Sequence, residues 1–228
     1  MNSEPIEPAV NPLPPAVSAL FVIIVGIECI FQLGTRGIVG GPEAVGWRLQ
    51  ALQSYAFSAD IVAWMWETGR WPLDQTVRFV SYPFVHASFT QALFSGVILL
   101  AMGKMVAEVF GTAAMLVIFF ASAIGGALVY TIVLQDPAPL IGAFPPVYGL
   151  IGGFTFILWR SLSSVGQNQA RAFTLIGFLM GIQLVFGLLF GLDNSWVADL
   201  SGFAVGFGLS FFLSPGGWAR IRSQIRRE

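Results

Sequence analysis

Only a few side chains that could do chemistry stand within the long apolar runs of this sequence. Glu28 and Asp199 are carboxylates, His86 is the only histidine, and Tyr148 carries a hydroxyl. An ionisable group in an apolar surrounding is costly, so each of these is a candidate functional residue. One histidine without paired carboxylates does not make a zinc site, and an aspartyl dyad would need a second carboxylate beside Asp199. We therefore expect no metal and no cofactor.

The same residues have structural interpretations. A lone histidine is more often a structural hydrogen-bonder than a catalyst, which is the interpretation we favour for His86. Glu28 lies near the outer end of the first apolar run, where we expect it to pair with a group of the following loop. Asp199 lies in the first turns of the last apolar run, where partial hydration at a membrane interface is an equally good account.

A glycine-rich, proline-broken stretch at residues 140–152 has the form of an active-site segment that opens a helix, yet it lacks a nucleophile. Nucleophilic peptide hydrolysis needs a hydroxyl or thiol within hydrogen-bond reach of a base. Residues 140–150 contain no serine, threonine or cysteine. Because proline is tolerated in the first turn of a helix but breaks its interior, we expect Phe144 at the mouth of a helix with Pro145 and Pro146 in that turn.

Membrane helices are the elements that must position these residues. Of 228 residues, 56% are hydrophobic and only 10% are charged, and the mean hydropathy is +0.77. Soluble domains carry about a quarter of charged residues, so this is an integral membrane protein. A net charge of −1 does not indicate the basic surface that a nucleic-acid-binding protein needs. About 20 apolar residues cross a bilayer as a helix. We predict an all-α protein with six spans, at residues 15–33, 83–109, 112–134, 140–159, 172–192 and 195–213.

The distribution of lysine and arginine predicts the orientation. These residues stay on the cytoplasmic side when they occur in short loops. Six spans place both termini on one side, and most basic residues then fall in cytoplasmic elements if that side is the cytoplasm. We predict a cytoplasmic N-terminal tail at residues 1–14, a membrane domain at residues 15–213 and a basic cytoplasmic tail at residues 214–228. The membrane we expect is a bacterial inner (plasma) membrane.

The connection at residues 34–82 is the only long segment between spans. Its apolar residues follow the spacing of amphipathic helices, and four tryptophans add interfacial aromatic groups. We predict that it lies in the membrane interface, the alternative being a packed lid outside the membrane without specific contacts. The spaced residues are Val45, Leu49, Leu52, Ala56, Ile61, Trp64 and Met65, and the other tryptophans are Trp47, Trp66 and Trp71.

Small residues predict which spans pack together. Gly202 and Gly206 form a small-xxx-small face on the sixth span, and Gly149, Gly152 and Gly153 offer a matching face on the fourth. Small side chains let two helix backbones approach closely. We therefore expect the fourth and sixth spans to be neighbours.

Three motifs, together with six spans and a long first loop, resemble the rhomboid intramembrane serine proteases over about residues 15–213. Val-Arg-Phe-Val-Ser-Tyr-Pro-Phe-Val-His at 77–86 resembles the family's Trp-Arg…Thr-x-x-Phe-x-His, with Arg78 and His86 retained. Gly-Ala-Phe-Pro-Pro-Val-Tyr-Gly at 142–149 is similar to Gly-x-Ser-Gly-x-x-Tyr-Gly. Ala-Asp-Leu-Ser-Gly-Phe-Ala-Val-Gly at 198–206 is similar to Ala-His-x-x-Gly-x-x-x-Gly.

The resemblance implies a serine protease site whose machinery this sequence has lost. Phe144 stands at the position of the family's nucleophilic serine, and Asp199 stands at that of its general-base histidine. Gln91 and Ser95 stand where the family has a histidine and an asparagine that help hold the oxyanion. The two prolines after Phe144 also remove backbone N–H groups near that place. With rhomboid-like packing, Tyr148 would face Asp199, and we hypothesise a hydrogen bond from its hydroxyl to that carboxylate.

These departures predict a rhomboid-like pseudoprotease and not an enzyme. In this interpretation a multi-pass membrane protein binds or retains client transmembrane helices within the lipid bilayer without cleaving them. The resemblance keeps a second interpretation open, an intramembrane serine-type endopeptidase with a rearranged site. A channel or solute transporter is a weaker alternative, because the spans lack the intramembrane charges and repeated broken helices of a coupled pathway.

Overall fold

The computed structural model describes residues 12–134, 136–190 and 194–214, without the side chains of 186–188 and 190. Most of the two predicted tails therefore lies outside the described residues. Within the described part the chain is helical, with one isolated antiparallel bridge between Phe57 and Leu140. Its α-helices are α1 Pro15–Thr35, α2 Trp47–Tyr55, α3 Ala59–Thr68, α4 Leu73–Thr76, α5 Arg78–Ser81, α6 Phe89–Phe110, α7 Thr112–Leu134, α8 Phe144–Ser164, α9 Thr174–Phe190 and α10 Trp196–Leu213.

Four of the six predicted spans, now α1, α6, α7 and α10, are helices long and apolar enough to cross a membrane. The predicted fourth span is α8, which has 21 residues but is less apolar because it contains two prolines, several glycines and Arg160. The predicted fifth span is α9, which has 17 residues. The structure thus supports an all-α membrane protein, while a crossing by α8 and α9 stays a prediction.

The junction of α6 and α7 shows how local chemistry sets the helix ends. Ser88 caps α6, since its side-chain oxygen accepts the backbone N–H of Gln91 at 3.2 Å. Gly111 ends this helix with a φ of +89°, a conformation that glycine adopts without the penalty of a Cβ atom. Because α7 begins at Thr112, the chain turns at one residue and the two spans lie side by side.

The helix α8 lies at the centre of the bundle, packed against α6, α7 and α10. Its contact with α10 is one of backbone against backbone. A Cβ atom on Gly206 would lie 2.0 Å from the carbonyl oxygen of Gly149, and one on Gly202 would lie 2.2 Å from that of Pro145. These distances confirm the prediction that the fourth and sixth spans are neighbours and that their small residues form the contact.

The long first connection packs on the bundle through specific apolar contacts. It folds into α2 to α5, and its buried side chains form one cluster with α7 and with the beginning of α10. The members of this cluster from the connection are Phe57, Val62, Met65, Phe79 and Tyr82, and those from elsewhere are Ala123, Ala127, Tyr130, Leu140 and Ala198.

Helices form in both halves of this connection, as its periodicity predicts, but only the second half buries apolar helix residues against the bundle. Met65 of α3 is fully buried, whereas Val45 and Leu49 are each 60% exposed and α2 buries none of its residues. Helical spacing identifies side chains that share a face but not whether that face meets the bundle. Trp64, Trp66 and Trp71 are exposed, and their predicted place in a membrane interface stays a prediction.

Candidate functional site

The candidate site lies at the N-terminus of α8, at the end of the bundle where α6 begins. Phe144 is the first residue of this helix, and Pro145 and Pro146 stand in its first turn, as predicted from the sequence. The ring of Phe144 is half-buried and packs against a cluster of α8, α9 and α10 side chains. The members of this cluster are Tyr148, Ile151, Ile176 and Phe203. The residue at the nucleophile position is therefore an apolar packing residue.

A tight turn leads into Phe144 and depends on Gly142. Its φ of +87° is one that other residues rarely adopt, and a Cβ atom there would lie 2.8 Å from Nε2 of Gln91 and 3.1 Å from Cδ2 of His86. The backbone N–H of Gly142 donates to the carbonyl of Tyr82 at 3.0 Å. The turn is thus pressed against the segment that precedes α6.

The lone histidine holds this turn from the other side. His86 is 1% exposed, and its Nε2 accepts the backbone N–H of Ala143 at 3.2 Å and lies 3.1 Å from Oγ of Ser95. An amide N–H is only a donor, so Nε2 carries no proton and the neutral ring is protonated on Nδ1. This geometry supports the structural interpretation of His86. The contact with Ser95 was not expected from the sequence.

The two residues at the oxyanion-support positions are engaged with the backbone. Gln91 donates from Nε2 to the carbonyl of Ile141 at 3.4 Å and accepts from the N–H of Ala87 at 2.8 Å. Ser95 is fully buried, and its Oγ lies 3.1 Å from the carbonyl of Ala92. Both side chains therefore tie the beginning of α6 to the turn before Phe144 or to α6 itself.

Asp199 at the general-base position is buried in protein. The residue is 2% exposed, and its Oδ2 accepts a hydrogen bond from Nε2 of Gln183 on α9 at 2.8 Å. A partly hydrated position at a membrane interface is therefore not what the structure shows. The donor on Oδ2 is Gln183, which sequence reasoning missed, and not the hydroxyl of Tyr148 that we hypothesised. The available signal was a lone amide in the otherwise apolar middle of α9.

Glu28 pairs with a group of the long connection, as predicted. Both Nη atoms of Arg48 donate to its carboxylate, one of them to Oε2 at 2.9 Å. The Nη1 atom of Arg48 also donates to the carbonyl of His86 at 2.7 Å, and the guanidinium lies 5.2 Å from the ring centre of Phe31. This buried ion pair joins α1 and α2 to the segment that carries the histidine.

The site as built has no activated nucleophile. Phenylalanine offers neither a nucleophile nor a proton acceptor, and the nearest hydroxyl to the histidine belongs to the fully buried Ser95. The lone pair of His86 Nε2 is already directed at the amide of Ala143. The part of the chain that the structure describes holds no group of three or more His, Cys, Asp or Glu residues placed for a metal ion.

The helical bundle places this chain among the all-α membrane proteins. Comparison with known proteins identifies the family. The family model of the rhomboid domain matches residues 73–216, more than half of the chain. The chain belongs to the rhomboid family.

Two relatives illustrate the degree of similarity. The chain is 28% identical over 153 residues to "RHOMBOID-like protein 2" of Arabidopsis thaliana, which covers 66% of this chain and 47% of the relative. It is 29% identical over 138 residues to "Rhomboid-like protease 3" of Toxoplasma gondii, covering 59% of this chain and 51% of the relative. The chain thus spans about half the length of the curated relatives it matches.

Proposed function

We propose that this rhomboid-family protein is a pseudoprotease that binds or retains client transmembrane helices without cleaving them. The observation that carries the proposal is the identity of the first three residues of α8. Phe144 places an aromatic ring where the family has the hydroxyl of its nucleophilic serine, and the two prolines that follow have no backbone N–H. Nucleophilic attack and stabilisation of an oxyanion are thereby both impaired at one place.

The surrounding hydrogen bonds support this proposal. The backbone N–H of Ala143, directly before Phe144, donates to Nε2 of His86. The carboxylate at the base position is held by Gln183, and the amide of Gln91 is held by backbone groups. His86, Gln91 and Asp199 therefore each have a structural hydrogen-bond partner, and they support an apolar surface at the mouth of α8.

Client binding is proposed from the family's lateral opening between helices and from the loose packing of α9. Among the described side chains of α9 only Ile176 is buried. Phe178 on the same helix is 64% exposed. A helix with so little buried surface is the element most easily moved aside by another apolar helix. Phe144 lies at its inner side, where it would contact a helix that enters between α9 and the bundle.

Site-specific photocrosslinking in native membranes tests this function. A photoreactive residue in place of Phe144 is expected to capture full-length single-span proteins. The matched control is the same residue in place of Ile132, which lies on α7 and is 75% exposed. Capture of one and the same set of proteins from both positions, or recovery of cleaved fragments from position 144, contradicts the proposal.

The second candidate function is an intramembrane serine-type endopeptidase with a rearranged site. The 3.1 Å approach of Ser95 Oγ to His86 Nε2 favours it, since this is the distance between a serine nucleophile and its base. Burial of both side chains and the bond from Ala143 to the same nitrogen oppose it. This alternative expects labelling by a fluorophosphonate that is lost in Ser95→Ala. Our proposal expects no labelling of either protein.

A further inference from the structure

The polar link between α9 and α10 stands out on an otherwise apolar helix. Thr174 at its first position and Gln183 near its middle are the only residues with polar side chains in the sequence of α9. Gln183 donates from Nε2 to Oδ2 of Asp199 at 2.8 Å. Its own carbonyl oxygen, Oε1, is buried and has no hydrogen-bond partner among the described residues. Within the described residues, this side-chain amide is therefore hydrogen-bonded through its N–H group and not through its carbonyl.

The energetics of this link differ for its two partners. A carboxylate enclosed in a membrane bundle is costly to leave without hydrogen bonds, so Asp199 requires a donor whatever the position of α9. Gln183, by contrast, leaves its buried carbonyl unsatisfied, which offsets part of what its N–H contributes. Among its described side chains, α9 buries only Ile176 and packs Leu175, Leu179 and Met180 partly buried on the same cluster, so this link adds a polar contact to a thin apolar one.

We propose that Asp199 is the recognition residue for clients and that it selects transmembrane helices carrying a side-chain N–H donor, that is, asparagine, glutamine, lysine or arginine. This inference rests on the client-binding function proposed above. The client's donor takes the place of Gln183 on Asp199 as the client helix displaces α9 from this contact. A carboxylate only accepts hydrogen bonds, and the bond from Gln183 shows that an amide from a neighbouring membrane helix fits it.

Apolar side chains near Asp199 add to the proposed specificity for client helices. The half-buried Phe144 and the cluster that contains Tyr148 and Phe203 form apolar surface near this position. An apolar helix with one donor at the matching depth therefore has both its lipid-like surface and its polar group satisfied. A wholly apolar helix would displace Gln183 and leave the carboxylate without that donor.

Fluorescence energy transfer in proteoliposomes tests the inference with the full-length protein. The probes are two single-span helices of leucine and alanine, one with a single glutamine in its outer third and one with leucine at that place. An interhelical hydrogen bond in a membrane predicts about three- to tenfold tighter association of the glutamine probe. In Gln183→Leu this preference grows, because the competing internal amide is gone. In Asp199→Leu it disappears, and in Asp199→Asn, which keeps the volume, it is reduced.

The control variant is Phe178→Leu, which changes an exposed side chain of the same helix and leaves the preference at its wild-type value. Equal association of both probes with the wild type and with Gln183→Leu overturns the inference but leaves client binding standing. A preference that survives in Asp199→Leu overturns it in the same way. Association of neither probe, together with unspecific crosslinking from position 144, contradicts both the inference and the proposed function.

Discussion

Ala143 donates its backbone N–H to Nε2 of His86 across 3.2 Å, so the only histidine of the protein holds the turn that precedes Phe144. The same nitrogen lies beside Ser95, and the carbonyl of His86 receives Arg48. A group that a hydrolase would use to move protons is here the centre of a structural network. Under the pseudoprotease proposal, the protein keeps this structural network without the family's chemistry.

Replacement of His86 tests this structural role. His86→Phe leaves the buried N–H of Ala143 without an acceptor, which costs about 1–3 kcal/mol of stability. His86→Gln provides a carbonyl oxygen and recovers part of the loss. Thermal unfolding in detergent micelles measures both. Unchanged stability of His86→Phe would show that the turn before Phe144 does not depend on the histidine.

The buried ion pair predicts a large asymmetry between single and double variants. Arg48→Met leaves the carboxylate of Glu28, whose side chain is 2% exposed, without its cation and costs about 3–5 kcal/mol. The double variant Arg48→Met with Glu28→Leu removes both charges and recovers much of this loss. Lys104→Met is the control, because its pair with Glu108 is more exposed and 3.8 Å long, so the change is within about 0.5 kcal/mol. Equal losses in the single and the double variant contradict this account.

Two glycines on α10 form a matched pair for testing the central helix contact. A Cβ atom on Gly206 would lie 2.0 Å from the carbonyl of Gly149, whereas one on Gly208 would meet no atom within 4 Å. Gly206→Ala is expected to cost about 1–3 kcal/mol by forcing α8 and α10 apart. Gly208→Ala is expected to be neutral or to stabilise slightly, because alanine is the better helix former. Denaturation of both variants side by side measures the difference, and similar behaviour of the two refutes the close approach.

A loop carboxylate gives a prediction about pH. Asn194 donates to Oδ2 of Asp136 at 2.6 Å and the N–H of Ala138 donates to Oδ1 at 2.8 Å, and these bonds lower the pKa of Asp136 below its ordinary value. A lowered pKa in the folded state contributes stability above the unfolded pKa, and this contribution is lost as pH falls through the folded pKa. Asn194→Ala removes the larger cause, so it should lower the melting temperature at neutral pH and not in strong acid. A difference that persists unchanged in acid contradicts this linkage.

Much of the fold followed from local chemistry in the sequence. The start of α8 was predictable because consecutive prolines fit only a first helical turn, and the packing of α8 on α10 because both helices present small residues at helical spacing. The pairing of Glu28 followed from the cost of a lone buried carboxylate.

The polar partners within the site were not predictable in the same way. Ser88 caps the start of α6, and this helix start between the two residues brings Ser95 to His86. A separation of nine residues does not by itself indicate such a contact. Gln183 reaches Asp199 through the placement of α9 against α10, which an apolar helix pattern does not specify. Local spacing predicts faces, but contacts between helices depend on how those faces are brought together.

Proteolysis by the purified protein is the measurement that tests the central claim most directly. Wild type and Phe144→Ser are reconstituted in liposomes with a rhomboid substrate, next to an active rhomboid protease, and cleavage and fluorophosphonate labelling are followed together. We predict neither cleavage nor labelling for both proteins, because the reversion restores a hydroxyl but leaves Pro145, Pro146 and Asp199 in place. Cleavage by the wild type would contradict the pseudoprotease assignment, and cleavage by Phe144→Ser would show that the rest of the site is still competent.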